Sequence, residues 1–201
     1  MRFILASKSP ARLELLRRAG ITPEVIVSGV DEDSYADPDP VHLASLLAEA
    51  KGRAVLPQVE GDAVVVACDS MLELDGRSRG KPRDPERAIR QWHRMRGREG
   101  VLHTGHFVWV RRNGVEHVSV RTASTVVSFA DVTDAEIEAY VATGEPLSVA
   151  GAFTIDGLGA AFVTGIEGDP HNVVGISIPL VRQMLLDAGI PWTSLWDSSS
   201  L

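Results

Sequence analysis

The sequence predicts a mixed α/β fold, a central sheet flanked by helices. Three observations carry that expectation. Strand-like and helix-like segments alternate from the first residue. Ala63 to Ala67 is a continuous apolar run rich in valine, the pattern of a strand covered on both faces. Asn113-Gly114 separates two long strand-like runs, a strong hairpin signal. Strand–helix alternation favours parallel neighbours and a tight hairpin forces antiparallel ones, so the sheet should contain both. The 201 residues suit one domain, expected to span 1–201, and no repeat or clear linker divides them.

The elements follow in order. Arg2 to Ala6 reads as a short buried strand, Ser7-Lys8-Ser9 as a polar turn, and Pro10 as the first residue of a helix, where its missing N–H is harmless. Leu13, Leu15, Leu16 and Ala19 keep helical spacing and Gly20 closes the helix. Val25 to Val27 reads as a second strand, followed by the acidic loop Asp31 to Asp33. Asp37, Pro38 and Pro40 introduce a helix carrying Leu43, Leu46, Leu47 and Ala50 and ending before Pro57. Asp69-Ser70 follows the Ala63–Ala67 strand, and Met71 to Leu74 alternates toward a turn at Asp75-Gly76. Pro85 to Met95 is expected to be helical, Val101 to Val110 and Val115 to Phe129 to be long strands, and Asp134 to Val141 a capped helix. A last helix is expected from Val173 to Ala188, stopped by Pro191, with a flexible tail over 194–201.

Composition narrows the function classes. Asp and Glu number 27 against 20 Lys and Arg, a net charge of −7, which argues against sequence-independent nucleic-acid binding. An apolar content of 44% supplies a core and excludes a disordered chain. A single cysteine, Cys68, excludes an internal disulfide and a cysteine-based zinc site. No apolar run approaches the ~20 residues of a membrane span, and the N-terminus lacks the pattern of a secretory signal. A cytoplasmic protein without a membrane partner is therefore expected.

Four segments could carry chemistry. Ser7 to Arg12 joins a strand to a helix N-terminus, whose free N–H groups attract anions; taken alone, the segment reads better as an ordinary cap with a solvated arginine. Arg12 adds a forked guanidinium suited to phosphate oxygens. Asp69 could hold a divalent metal or take a proton from water at a strand end, or could merely cap a turn. Gly80-Lys81-Pro82 resembles the end of a P-loop, but Pro82 stands at the hydroxyl position and Asp75 at the leading glycine position, so a Walker-type enzyme is not expected. Only three lysines occur (Lys8, Lys51 and Lys81) against seventeen arginines, which hints that the retained ones act as compact point charges. The glycine-rich stretch from Gly144 to Ala160 contains Asp156; Phe162 stands at the third glycine position, so it is not a dinucleotide fingerprint. The six histidines show no metal-ligand spacing, and Cys68 reads as a buried small hydrophobe.

Taken in order, these segments resemble the Maf family of nucleoside triphosphate pyrophosphatases. The likeness lies in Leu5-Ala6-Ser7-x-Ser9-Pro10-x-Arg12, Asp31-Glu32, Leu47-Ala48-x-x-Lys51, Ala67-x-Asp69-Ser70 and Gly80-Lys81-Pro82. It continues through His103-Thr104-Gly105, Tyr140, Glu145-Pro146, Ala150-Gly151-Ala152-Phe153, Gly157-Leu158-Gly159, Gly168-Asp169 and Asn172-Val173-Val174-Gly175. The resemblance implies a mixed sheet with a deep cleft, similar to the inosine triphosphate pyrophosphatases, a homodimer, and hydrolysis of nucleoside triphosphates to monophosphate and pyrophosphate. It also implies Asp69 as the catalytic carboxylate, Ser7, Arg12, Lys51 and Lys81 as phosphate contacts, and Glu32 with Asp69 as ligands of Mg²⁺ or Mn²⁺. The base-selecting positions map onto Ala11, Ser70 and Asp156, a set unlike either the dTTP/UTP or the 7-methyl-GTP branch. Removal of non-canonical nucleotides is one role this implies. Family members are also described as inhibitors of septum formation, so the alternative is a nucleotide-responsive regulator that acts through protein contacts.

Overall fold

The computed structural model describes residues 1–197. A seven-stranded sheet organises it: β1 (Arg2–Leu5), β2 (Glu24–Val25), β3 (Ala63–Leu74), β4 (Arg77–Arg79), β5 (Glu99–Arg112), β6 (Val115–Phe129) and β7 (Val163–Glu167). Along the sheet the order is β2-β1-β3-β5-β6-β7, with β4 paired to the far half of β3. β1 runs parallel to both β2 and β3, while β3, β5, β6 and β7 are successively antiparallel. The sheet is therefore mixed, with α1 (Pro10–Arg18), α2 (Pro40–Val55), α3 (Pro85–Met95), α4 (Asp134–Ala142), α5 (Pro170–Val174) and α6 (Ile178–Asp187) around it.

Alternation along the strands sorts the core. Val64, Val66 and Cys68 pack with Leu16 of α1 and Val181 and Met184 of α6, while Ala63, Val65 and Ala67 pack with Ala48 and Val55 of α2. The far halves of β3, β5 and β6 pack with Trp92 of α3 and Ile137 and Tyr140 of α4. Trp92 anchors that region: it meets Phe129, Tyr140 and Phe162 edge-on, and its indole N–H donates to the Ala152 carbonyl at 2.8 Å. No helix among the described residues is long and apolar enough to cross a membrane.

Several expectations need correction. The strand from Ala63 does not stop before Asp69; β3 continues to Leu74, so Asp69 lies within a strand, opposite Gly105. The strand at Val25 spans only Glu24–Val25. The helix expected from Val173 to Ala188 is two helices, because Gly175 takes φ +121° and Ser177 starts a new cap by accepting from Leu180 N–H at 3.2 Å. The tail is fixed as far as Asp197: Leu195 is buried, Trp196 Nε1 donates to the Ala19 carbonyl at 3.2 Å, and Asp197 Oδ2 accepts from Thr22 N–H at 2.8 Å. Residues 198–201 lie outside the described residues.

Candidate active site

The site opens where β1 ends. β1 is parallel to β3 but stops at Leu5, so the chain turns into α1 while β3 runs on. The turn Ser7–Ser9 and the start of α1 thereby come beside Cys68, Asp69 and Ser70. This is the crevice beyond a strand's carboxyl end where α/β sheets collect ligands, and here the strand that ends is β1. The period-two alternation of β3 then sends Asp69 toward α2 and Ser70 toward α1. The contacts follow suit: Lys51 of α2 bonds Asp69 Oδ1, and Arg12 of α1 donates to Ser70 Oγ at 3.2 Å.

Gly105 lets α2 come this close. A Cβ there would lie 2.2 Å from the Ala44 carbonyl oxygen, so the helix lies directly on β5 at the residue paired with Asp69. About two turns further along α2 is Lys51. Its buried ammonium bridges Asp69 Oδ1 and Glu32 Oε1, the latter at 2.7 Å, and Lys81 reaches Glu32 Oε2 at 3.1 Å. Burial alone would push the Glu32 carboxyl up. The Lys51 hydrogen bond and charge, reinforced by Lys81, override it and hold the group at about 2. Asp31 fixes the short turn that carries Glu32, accepting from Asp33 N–H at 3.2 Å and Ser34 Oγ at 2.8 Å.

Arg12 is arranged differently from a free phosphate fork. Nε donates to the Gly175 carbonyl at 2.6 Å, Nη1 to the Cys68 carbonyl at 2.9 Å and to Ser7 Oγ at 3.3 Å, and Nη2 to Ser70 Oγ. Four of the five guanidinium N–H groups are thus engaged within the protein. None of these acceptors is a carboxylate, so the positive charge stays uncancelled. Arg12 ties together β3, the Ser7 turn and the α5–α6 junction and lends the site a fixed positive field.

These groups line one cavity of about 430 Å³, within the ~300–1,000 Å³ range of small-molecule sites. Ser7, Arg12, Glu32, Lys51, Asp69 and Lys81 stand along its charged side. Ala11, Ser70 and Asp156 reach the same cavity, with Phe153 and Thr154 beside Asp156. The nine site residues that the resemblance implies therefore line one cavity. A Maf-like protein family profile matches residues 2–188.

The chain belongs to the Maf-like family.

Relatives of this Maf-like chain include the "Nucleoside triphosphate pyrophosphatase" of Cutibacterium acnes, 56% identical over 97% of this chain and 94% of that protein. Another of the same description, from Streptomyces coelicolor, is 57% identical over 97% of this chain and 94% of that one. A solved Ham1 protein structure from Staphylococcus aureus is a much looser likeness, with a TM-score of 0.43 and 15% identity over 65% of this chain and 73% of that one. At that level it carries no argument, and the fold class rests on the sheet itself.

Sequence reasoning overlooked two supports of the Maf-like site. Thr104 hydrogen-bonds Ser70 Oγ at 2.9 Å and donates to the Asn172 carbonyl at 3.1 Å, linking the strand beside Asp69 to α5. Glu145 organises the segment that holds Asp156, accepting from Tyr140 Oη at 2.9 Å, Thr154 Oγ1, Leu158 N–H at 2.9 Å and Gly159 N–H at 3.0 Å. Burial raises the Glu145 carboxyl, but the Thr154, backbone and Tyr140 donors together hold it at about 2. Both residues sit in the stretches His103-Thr104-Gly105 and Glu145-Pro146, yet nothing in the spacing announced their partners. Cys68 is fully buried, and burial pushes its thiol up to about 12, which leaves no nucleophile at neutral pH. His106 is likewise buried; its Nε2 accepts from Ser177 N–H at 2.8 Å, and burial together with the Arg12 charge lowers it to about 4.

Proposed function

We propose that this Maf-like chain is a metal-dependent nucleoside triphosphate pyrophosphatase that cleaves between the α and β phosphorus, releasing a nucleoside monophosphate and pyrophosphate. The observation that carries the reading is the Asp69–Lys51–Glu32–Lys81 chain of charges beside the Ser7–Arg12 turn, all in one cavity. The description shared by relatives above half identity agrees with it. A regulator acting only through protein contacts has no use for such an array, so the enzyme reading is preferred.

A divalent cation fits the donors present. Asp69 and Glu32 contact one ammonium, so their carboxylates lie near each other, and among the described residues no cluster of three or more His, Cys, Asp or Glu could cage a metal. Two carboxylates completed by substrate phosphate and water is the donor set Mg²⁺ accepts, and Mn²⁺ shares its taste for oxygen. Bound there, the ion would neutralise charge on the polyphosphate.

The protein's own groups do the rest. Lys51 and Lys81 draw the phosphate chain toward the two carboxylates, and the Ser7 turn at the start of α1 offers N–H donors to the same anion. Arg12 holds that turn and supplies positive potential. Asp69 accepts the proton of a water positioned in line with the α-phosphorus, while the lysines stabilise the departing pyrophosphate. Asp156, exposed at the cavity lip, accepts hydrogen bonds from a base edge rich in donors, such as that of guanine.

The test is a panel of natural and modified triphosphates with Mg²⁺ or Mn²⁺, scored for pyrophosphate and for orthophosphate. Pyrophosphate and monophosphate in equal amounts are expected, from some members of the panel. Orthophosphate with diphosphate, or no turnover at all, contradicts the proposal.

A further inference from the structure

The proposed catalysis leaves nearly half of the chain's arginines without a task. Eight of the seventeen lie between residues 77 and 98. With Lys81 included, the stretch contains only two acids, Asp84 and Glu86, and so carries +7 in sequence inside a chain of net charge −7, although Lys81, Arg83, Arg96 and Arg98 pair with acids outside it. Folding places five of its nine cations, Arg79, Lys81, Arg87, Arg90 and Arg94, around a groove of about 300 Å³ between β4 and α3. Arg87, Arg90 and Arg94 recur at helical spacing and share one face of α3, with Arg79 of β4 also lining the groove. Lys81 borders this groove and the catalytic cavity alike.

Two independent features point to an anionic ligand. Arg79 Nε, Gln91 Nε2 and Ser78 Oγ are buried and lack hydrogen-bond partners among the described residues. A buried donor without an acceptor costs about 1–3 kcal/mol, and more when charged, and all three of these residues line the same groove. The charges are also poorly compensated. Arg90 pairs with Glu86 at 3.3 Å, but Arg79, Arg87 and Arg94 form no ion pair among the described residues. Asp75, the acid that acts on Arg79, is itself bound to Arg98.

We propose that this groove is a second anion site of the protein, built for an oligophosphate, and that its ligand is inorganic pyrophosphate. Planar guanidinium groups match phosphate oxygens two at a time, and a multiply charged anion that only accepts hydrogen bonds answers both the orphaned donors and the excess charge. The choice of pyrophosphate rests on the reaction proposed above, which releases it on the other side of Lys81. The anion class does not depend on that reading.

The experiment is calorimetric titration of pyrophosphate into the protein while one equivalent of a non-hydrolysable triphosphate analogue, no excess of it, occupies the catalytic cavity, repeated on the double variant Arg87→Gln/Arg94→Gln. The wild-type chain is expected to bind one pyrophosphate under these conditions. The double variant should bind it roughly 100-fold more weakly, about tenfold for each charge-assisted contact removed. Its initial turnover should be unchanged, which reports an intact fold and cavity. No binding to the wild type, or equal binding to the variant, overturns the proposal. Orthophosphate in a parallel arm should bind more weakly; tighter binding overturns pyrophosphate as the ligand. If the analogue itself fails to bind, the nucleotide reading fails separately. Pyrophosphate alone then still decides the groove, by whether the double variant loses a binding site.

Discussion

The catalytic cavity and the arginine groove share Lys81 but treat positive charge in opposite ways. In the cavity each main cation is already engaged: Lys51 between Asp69 and Glu32, Lys81 on Glu32, and Arg12 on two carbonyls and two hydroxyls. In the groove Arg79, Arg87 and Arg94 have no acidic partner among the described residues. The difference teaches that a cation's presence says little about its task. On the proposed reading, engaged cations hold a reactive geometry before substrate arrives, whereas unengaged ones wait for charge to be brought to them.

The comparison breaks most sharply at Asp69. On the proposed reading Asp69→Asn keeps the shape but removes the proton acceptor, so kcat should fall by about 10²–10⁴-fold, the usual range for a general base, with KM little changed. Steady-state kinetics check it. Lys51→Met leaves two neighbouring carboxylates without their shared counterion and should cost about 3–5 kcal/mol of stability, the range for breaking a buried pair. Arg94→Gln, on the unpaired side, should stay within about 0.5 kcal/mol, as exposed substitutions do. Urea denaturation of the two variants gives the contrast directly.

Acid should separate the two kinds of group in the site region. His106 sits at about 4 in the fold against 6.5 when free, so the unfolded chain takes up its proton first as pH falls. Stability should therefore decline between pH 6.5 and about 4, by up to about 3 kcal/mol from this residue. Glu32 has the depressed-carboxylate sign: its contribution is complete above 4.5 and fades only toward about 2. Denaturation midpoints that stay flat from neutral pH to about 4.5 contradict the His106 assignment. The smallest effect expected on activity is on base choice. Asp156→Gln adds a donor at the cavity lip and should shift preference toward uracil or thymine nucleotides by about tenfold, one charge-assisted hydrogen bond. Competition between paired triphosphates measures it.

Much of this architecture was legible in the residues. The apolar Ala63–Ala67 run, the Asn113-Gly114 turn and the capped helices fixed the mixed sheet, because burial and turn geometry act locally. The continuation of β3 was hidden because Asp69, Ser70 and Glu73 interrupt its apolar pattern. Those residues meet Lys51, Arg12 and His103 rather than the core. β7 was hidden for a related reason: Gly165 and Glu167 pair through backbone at a sheet edge, Thr164 falls at an irregularity in the pairing, and the strand buries little. The cavity residues could be named from the family resemblance, but the engagement of Arg12 by Gly175, far along the chain, could not. The arginine groove vanished in a whole-chain charge of −7, which averages a basic stretch against an acidic remainder.

The central claim is that water activated at Asp69 attacks the α-phosphorus. Turnover in ¹⁸O-labelled water, with both products analysed by mass spectrometry, tests it most directly. One labelled oxygen is expected in the nucleoside monophosphate and none in the pyrophosphate. Label in the pyrophosphate, with unlabelled monophosphate, would contradict it.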